Sequence, residues 1–218
     1  MNMKKLLALS MAWALSTAPA FAQVNTVPQL GLTTGYLPKV TYSSAFFGFV
    51  PVVTISTDEI CLQGSASRVV RLQRLTIYGT TTTAAQTLPI QLVRRVSLNT
   101  GGTPASTTAN PGVVTQINSR DTAQATNLSV TAVPISWTAA PTIVDTAPTF
   151  IESQLMNMPF PTTSTQAPGI VDFNFQAWNE DLIQPPTIRG AAQAICVNIG
   201  AAITNASVWN GTITWTEE

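Results

Sequence analysis

The sequence predicts an all-β protein: a single jelly-roll-like antiparallel β-sandwich of about eight strands, preceded by an N-terminal hydrophobic, signal-like helix. Three observations carry this expectation. Short runs of alternating apolar and polar residues recur along the chain, each bounded by Gly, Pro or Asn. No run with helical period follows residue 22. Charged residues make up only 9% of the 218 residues, against roughly 25% in an average soluble protein. Thr, Ser, Asn and Gln must therefore cover the surface. Thr suits a pleated strand, and Ser, Asn and Gly suit turns. Strands joined by long, uneven connections fit a jelly roll better than an up-and-down barrel.

The organising strand is 67–80, SRVVRLQRLTIYGT. Its apolar period is two, but the phase changes: Val70 and Leu72 share one face, and Leu75 and Ile77 share the other. The step falls at Gln73 and Arg74. A one-residue step is what a β-bulge produces. Upstream, 23–44 reads as a polar, Pro/Gly-punctuated arm. The apolar run 45–56 is interrupted by Gly48 and Pro51. It fits an edge strand, because Pro lacks the ladder donor, or a surface for another subunit through Phe46, Phe47 and Phe49. A short strand over 59–63 turns at Gly64 and Ser65 into the organising strand. The domain boundaries expected are 1–22, 23–57 and 58–218.

Downstream, a Thr-rich loop over 80–87 leads to a strand over 88–98, where Leu88, Ile90 and Leu92 alternate with Pro89, Gln91 and Val93. A turn at 99–102 follows. Residues 103–126 form a loop with one short strand near 113–117. Further strands are expected over 128–137, 150–158 and 170–175, the last alternating Val171, Phe173 and Phe175 with Asp172 and Asn174. Residues 183–189 form a loop leading to an edge. Residues 192–199 and 207–216 are expected to close the fold as a hairpin whose loop holds Gly200 and Asn205.

Residues 1–22 have the grammar of a secretory signal. Lys4 and Lys5 are followed by an apolar run over 6–15 and an A-x-A ending at Ala22. The run is short for a membrane span. The alternatives are a cleaved signal and a retained hydrophobic helix. Of 10 basic and 10 acidic residues, cleavage removes two lysines and leaves 8 against 10, a net charge of −2. No global field then points to nucleic acid, and none to a membrane after cleavage. Cys61 and Cys196 are the two cysteines. Each is out of phase with its apolar neighbours, so both are expected on outer sheet faces, either as one disulfide or as two small thiols.

One resemblance extends this reading. The runs GSASRVVRLQRLTIYGTTTTAAQTLPIQLVRRVSLNTGGT, IRGAAQAICVNIG and WNGTITWTEE resemble small jelly-roll-like virion and structural proteins of tailed phages and prophages. The likeness spans roughly 58–218 and is weak over 103–168. It implies an oligomeric jelly-roll domain on the outside of a particle, such as a decoration or fibre-type protein on head or tail. Its expected partners are copies of itself, in a trimer for example, and other virion proteins. Its motifs are structural and transfer no catalytic residue.

The chemistry of the side chains narrows the function further. The chain has no histidine, which removes Ser-His-Asp and Cys-His catalysis and His-ligated zinc. No phosphate-binding or dinucleotide-binding glycine motif is present. No enzyme activity and no cofactor are expected. The adjacent carboxylates Asp58 and Glu59, Glu180 and Asp181, and Glu217 and Glu218 point to opposite strand faces as neighbours do. They do not by themselves span a sugar. Asn179, Glu180 and Asp181 are either a hard-oxygen calcium loop or a polar turn. Arg68, Arg71, Arg74, Arg94 and Arg95 fall on two successive strands. If the strands share a sheet, they form a docking patch for an acidic partner. Otherwise they are solvated and paired to Asp172, Glu152 or Asp121. Trp178 and Trp209, each followed by Asn, suit either glycan stacking or core packing.

Three functions follow as expectations. The first is a non-enzymatic virion structural protein acting by assembly. The second is an exported periplasmic or cell-surface module for adhesion or assembly. The third is a carbohydrate-binding module.

Overall fold

A computed structural model of the chain describes residues 40–52, 57–105, 114–116, 131–160, 166–176 and 185–218. The hydrophobic helix expected over 1–22 and most of the arm lie outside the described residues. Two antiparallel sheets form a sandwich, and no α-helix occurs among the described residues. The strands are β1 (Val40–Phe49), β2 (Asp58–Gln63), β3 (Val69–Thr81), β4 (Gln86–Arg95), β5 (Thr103–Pro104), β6 (Val114–Gln116), β7 (Val133–Ala139), β8 (Thr149–Met158), β9 (Gly169–Asn174), β10 (Thr187–Arg189), β11 (Ala194–Ile199) and β12 (Ser207–Glu217). The first sheet runs β10-β3-β12-β1-β6, with β9 also on β3. The second runs β5-β7-β2-β11-β4-β8.

The organising strand sits inside the first sheet, between β12 on one side and β9 and β10 on the other. Its phase change is a bulge. Trp215 faces Leu72 and Thr214 faces Arg74, which leaves Gln73 as the extra residue. Without that bulge, Val70 and Leu72 would point away from Leu75 and Ile77. With it, all four are buried in the same core.

The core fills the space between the sheets. From the first sheet come Phe46, Phe49, Trp209, Trp215 and Phe173; from the second come Leu62, Ile90, Leu92 and Val197. Tyr42 stacks on Trp215 at 5.8 Å between ring centres, and Phe49 meets Trp209 edge-on at 6.1 Å. Phe46 lies opposite Gly211. A Cβ on Gly211 would strike the Phe46 ring and the Thr76 carbonyl, so only glycine lets the ring lie against β12.

Two expectations need correction. β1 begins at Val40 and pairs with β12 along its length, so the sandwich includes residues assigned to an arm and edge segment before 58. The expected closing hairpin does not form: β11 belongs to the second sheet and β12 to the first, and the 200–206 connection crosses between them. The loop expected to lead to an edge over 183–189 ends in β10, a short edge piece on β3.

Candidate functional site

The two sheets turn very different outer faces to their surroundings. On the second sheet, Cys196 faces Cys61 in register, and the two are joined as a disulfide with Cα atoms 4.1 Å apart. Both lie on the side away from the main core, as their phase suggested. That side is not bare. Trp137, Val93 and Ala194 pack with the disulfide into a second apolar cluster, with Leu98 and Ile135 against it.

Beside this cluster lies a buried polar network. Asp58 accepts from Arg95 Nε at 2.9 Å and Nη2 at 2.8 Å, from Asn99 Nδ2 at 2.7 Å and from Asn198 Nδ2 at 2.8 Å. Arg95 Nη1 donates to the Asp145 carbonyl at 2.7 Å. The Asp145 carboxylate in turn accepts from the backbone N–H groups of Val96 and Ala147. A fully donated, buried carboxylate–guanidinium pair of this kind fixes geometry rather than offering a free group. It ties the chain after β4 and the chain before β8 down over the sheet. Thr100 and Thr142 bond each other reciprocally across the same cover.

Asp58, Cys61 and Cys196 bring three ligand-type atoms within 4.8 Å of one another. They do not fit a cation. The sulfurs are spent in the disulfide, and the carboxylate already accepts four N–H groups, two from a guanidinium.

Glu59 is separate from this network. It is fully buried; Oε2 accepts from the Val52 N–H at 2.8 Å, and Oε1 has no hydrogen-bond partner. Burial pushes its carboxyl up to about 8, repulsion from Asp58 adds to this, and the Val52 N–H opposes it. At neutral pH Glu59 is therefore an uncharged acid. The pair at the C-terminal end is also structural. Glu217 accepts from Thr131 N and Oγ1, from Ala132 N and from Trp215 Nε1. Arg68 Nη1 stands 3.9 Å from it. Glu218 takes two bonds from Arg71, at 3.0 and 3.2 Å. The Glu180–Asp181 loop and its calcium reading lie outside the described residues, as does Trp178.

The five arginines do not form one patch. Arg68, Arg71 and Arg74 belong to β3 or its approach in the first sheet, while Arg94 and Arg95 end β4 in the second. Successive strands in this chain often lie in different sheets, so order along the sequence did not place them side by side. Arg74 makes a two-pronged pair with Asp172, both bonds 2.8 Å. That guanidinium, with help from the Thr76 hydroxyl, holds the Asp172 carboxyl below its ordinary value.

The aromatic expectations also divide. Phe46 and Phe49 are core residues, so they offer no surface to another subunit. The left-handed Gly48, at φ 64°, lets the end of β1 bulge. The bulge returns Phe49 to the core side, while Phe47, next to the buried Phe46, faces outward by strand alternation and is 63% exposed. Trp209 is fully buried and packed on Phe49, which removes it as a stacking platform.

What the sequence reading missed is a row on the outer face of the first sheet. Asn210 pairs with Tyr78, and Tyr78 pairs with Ile170. The Asn210 side chain accepts from the Gly48 N–H at 2.8 Å, which brings Phe47 to the other end of the row. Phe47, Tyr78 and Ile170 are 63%, 39% and 55% exposed. The signal was present: Tyr78 and Ile170 are out of phase with the buried Ile77 and Val171. Their lateral alignment across four strands was not readable before the strand order was known.

No family model, no curated protein and no solved structure matches this chain. Among the described residues no helix is long and apolar enough to cross a membrane.

Proposed function

We propose that this protein is a non-enzymatic jelly-roll structural protein that acts by assembly, as a surface component of a phage virion. The observation that carries the reading is the winding of the chain. Eight strands make two facing four-strand sets, β1-β12-β3-β9 and β2-β11-β4-β8, with every neighbouring pair antiparallel. In chain order β1, β3, β9 and β12 fall in one set and β2, β4, β8 and β11 in the other. That wrapped order supports the reading as a jelly roll, an architecture used in viral capsid and lectin domains. β5, β6, β7 and β10 are additions in its connections. The engagement of Asp58, Glu217 and Glu218 in structural ties, in a chain without histidine, supports the non-enzymatic part.

The disulfide favours a second reading, an exported periplasmic or cell-surface assembly module, because disulfides persist in oxidising compartments. Mass spectrometry of gradient-purified particles and of the soluble exported fraction separates the two. The virion reading expects the protein in particles. Its presence only in the exported fraction, with an N-terminal peptide starting at Gln23, discards that reading in favour of the second.

A further inference from the structure

We infer that the outer face of the first sheet, centred on Phe47, Tyr78 and Ile170, is the surface through which one copy of this chain docks on another. The inference deepens the assembly reading and rests on it.

The row has the form of a contact rather than of scattered exposure. Its members sit on β1, β3 and β9, with Asn210 of β12 between the first two. With neighbouring strands about 4.8 Å apart, the row spans roughly 14 Å across the sheet. Single exposed apolar residues are ordinary, but a contiguous set on a flat face is not. Among the described residues the other exposed apolar residues of strands are Val133 on β7 and Phe150 and Leu155 on β8. The last two lie five positions apart on one strand, three strands lie between β7 and β8, and they form no such row.

The choice of a second copy as occupant comes from the charges. Among the described residues, the ionised groups nearest the row on the outer face of β1, β12, β3 and β9 are Arg74 and Asp172, and each neutralises the other in a two-pronged pair. Glu152 lies on β8 in the other sheet, bonded to Gln154. The remaining neighbours in register are Thr76 and Thr212. Such a face has no net charge to draw an acidic or basic partner, and it does not repel its own copy. A glycan is less well matched. Ile170 offers no ring for stacking, and the Asp172 oxygens are taken by Arg74 and Thr76. Strand addition at the nearby edge is also hindered, because the Gln154 side chain bonds both the N–H and the carbonyl of Asp172 on β9. Face-to-face packing of two copies, as sheets pack at about 10 Å, uses the row without disturbing either sandwich.

The test is sedimentation velocity across a concentration series, on the protein as its source produces it. Phe47→Asp and Ile170→Asp are compared with Leu155→Asp, and cooperative melting checks that each variant folds. The expected result is association in the unmodified protein, weakened at least about tenfold by the first two changes and unaltered by the third. If an Asp variant does not fold, Phe47→Ser and Ile170→Thr replace it. Association that persists unchanged in the Phe47 and Ile170 variants overturns the inference and leaves assembly to another face. A protein that stays single at every concentration and occurs in no particle overturns both the inference and the assembly reading. Binding of a soluble β-glucan or xylan by the single chain, lost in Phe47→Asp, overturns the inference and assigns the row to a glycan.

Discussion

The outer faces of the two sheets are built to opposite plans. The second sheet is roofed by its own chain: the disulfide, Trp137 and the Asp58–Arg95 network lie beneath 96–102 and the segment around Asp145. The first sheet leaves Phe47, Tyr78 and Ile170 open, beside an ion pair at the surface. The same chemical types thus have unequal weight on the two sides. A guanidinium–carboxylate pair is a structural tie on one face and a solvated neutraliser on the other. What decides between these roles is burial, which sets what each group loses when its partner is removed.

Breaking one pair on each face measures that difference. Arg95→Ala strands Asp58 in the interior and is expected to cost about 3–5 kcal/mol of unfolding free energy. Arg74→Ala, on the open face, is expected to cost about 1 kcal/mol or less. Urea denaturation of both variants checks the contrast. Equal costs would mean that the roof over the second sheet does not exclude water.

A pH-dependent effect concerns Glu59. Its folded-state value of about 8 lies above its ordinary 4.5, so the native state keeps a proton that the unfolded state releases between those limits. The stability from this group is fully present below about 4.5 and is lost as pH rises toward 8. The slope is up to about 1.4 kcal/mol per pH unit where it is steepest. Asp172 has the opposite sign: its contribution is lost on acidification, below this window. Glu59→Gln is expected to flatten the decline, as read by urea midpoints from about pH 5 to about pH 9.

Much of the sandwich was legible because it is written locally. The bulge at Gln73 is a phase change within one strand. The outward placement of both cysteines follows from parity with Ile60, Leu62, Ile195 and Val197. What was not legible depends on which sheet a strand joins. The 200–206 connection looks like a hairpin loop, yet it crosses the sandwich. Arg74 and Arg94 look like neighbours on successive strands, yet they lie in different sheets. Asp58 and Arg95 are 37 positions apart, and no local pattern announces their meeting. Phe46, Phe47 and Phe49 form one apolar run, and only the bulge at Gly48 decides that Phe49 faces in with Phe46.

The contrast between the faces is tested most directly by hydroxyl-radical footprinting of the native protein at low and high concentration. Phe47 and Tyr78 are expected to be modified at low concentration and protected at high concentration, while Trp137 is protected at both. Trp137 modified as readily as Phe47, or Phe47 and Tyr78 equally modified at both concentrations, would contradict that contrast.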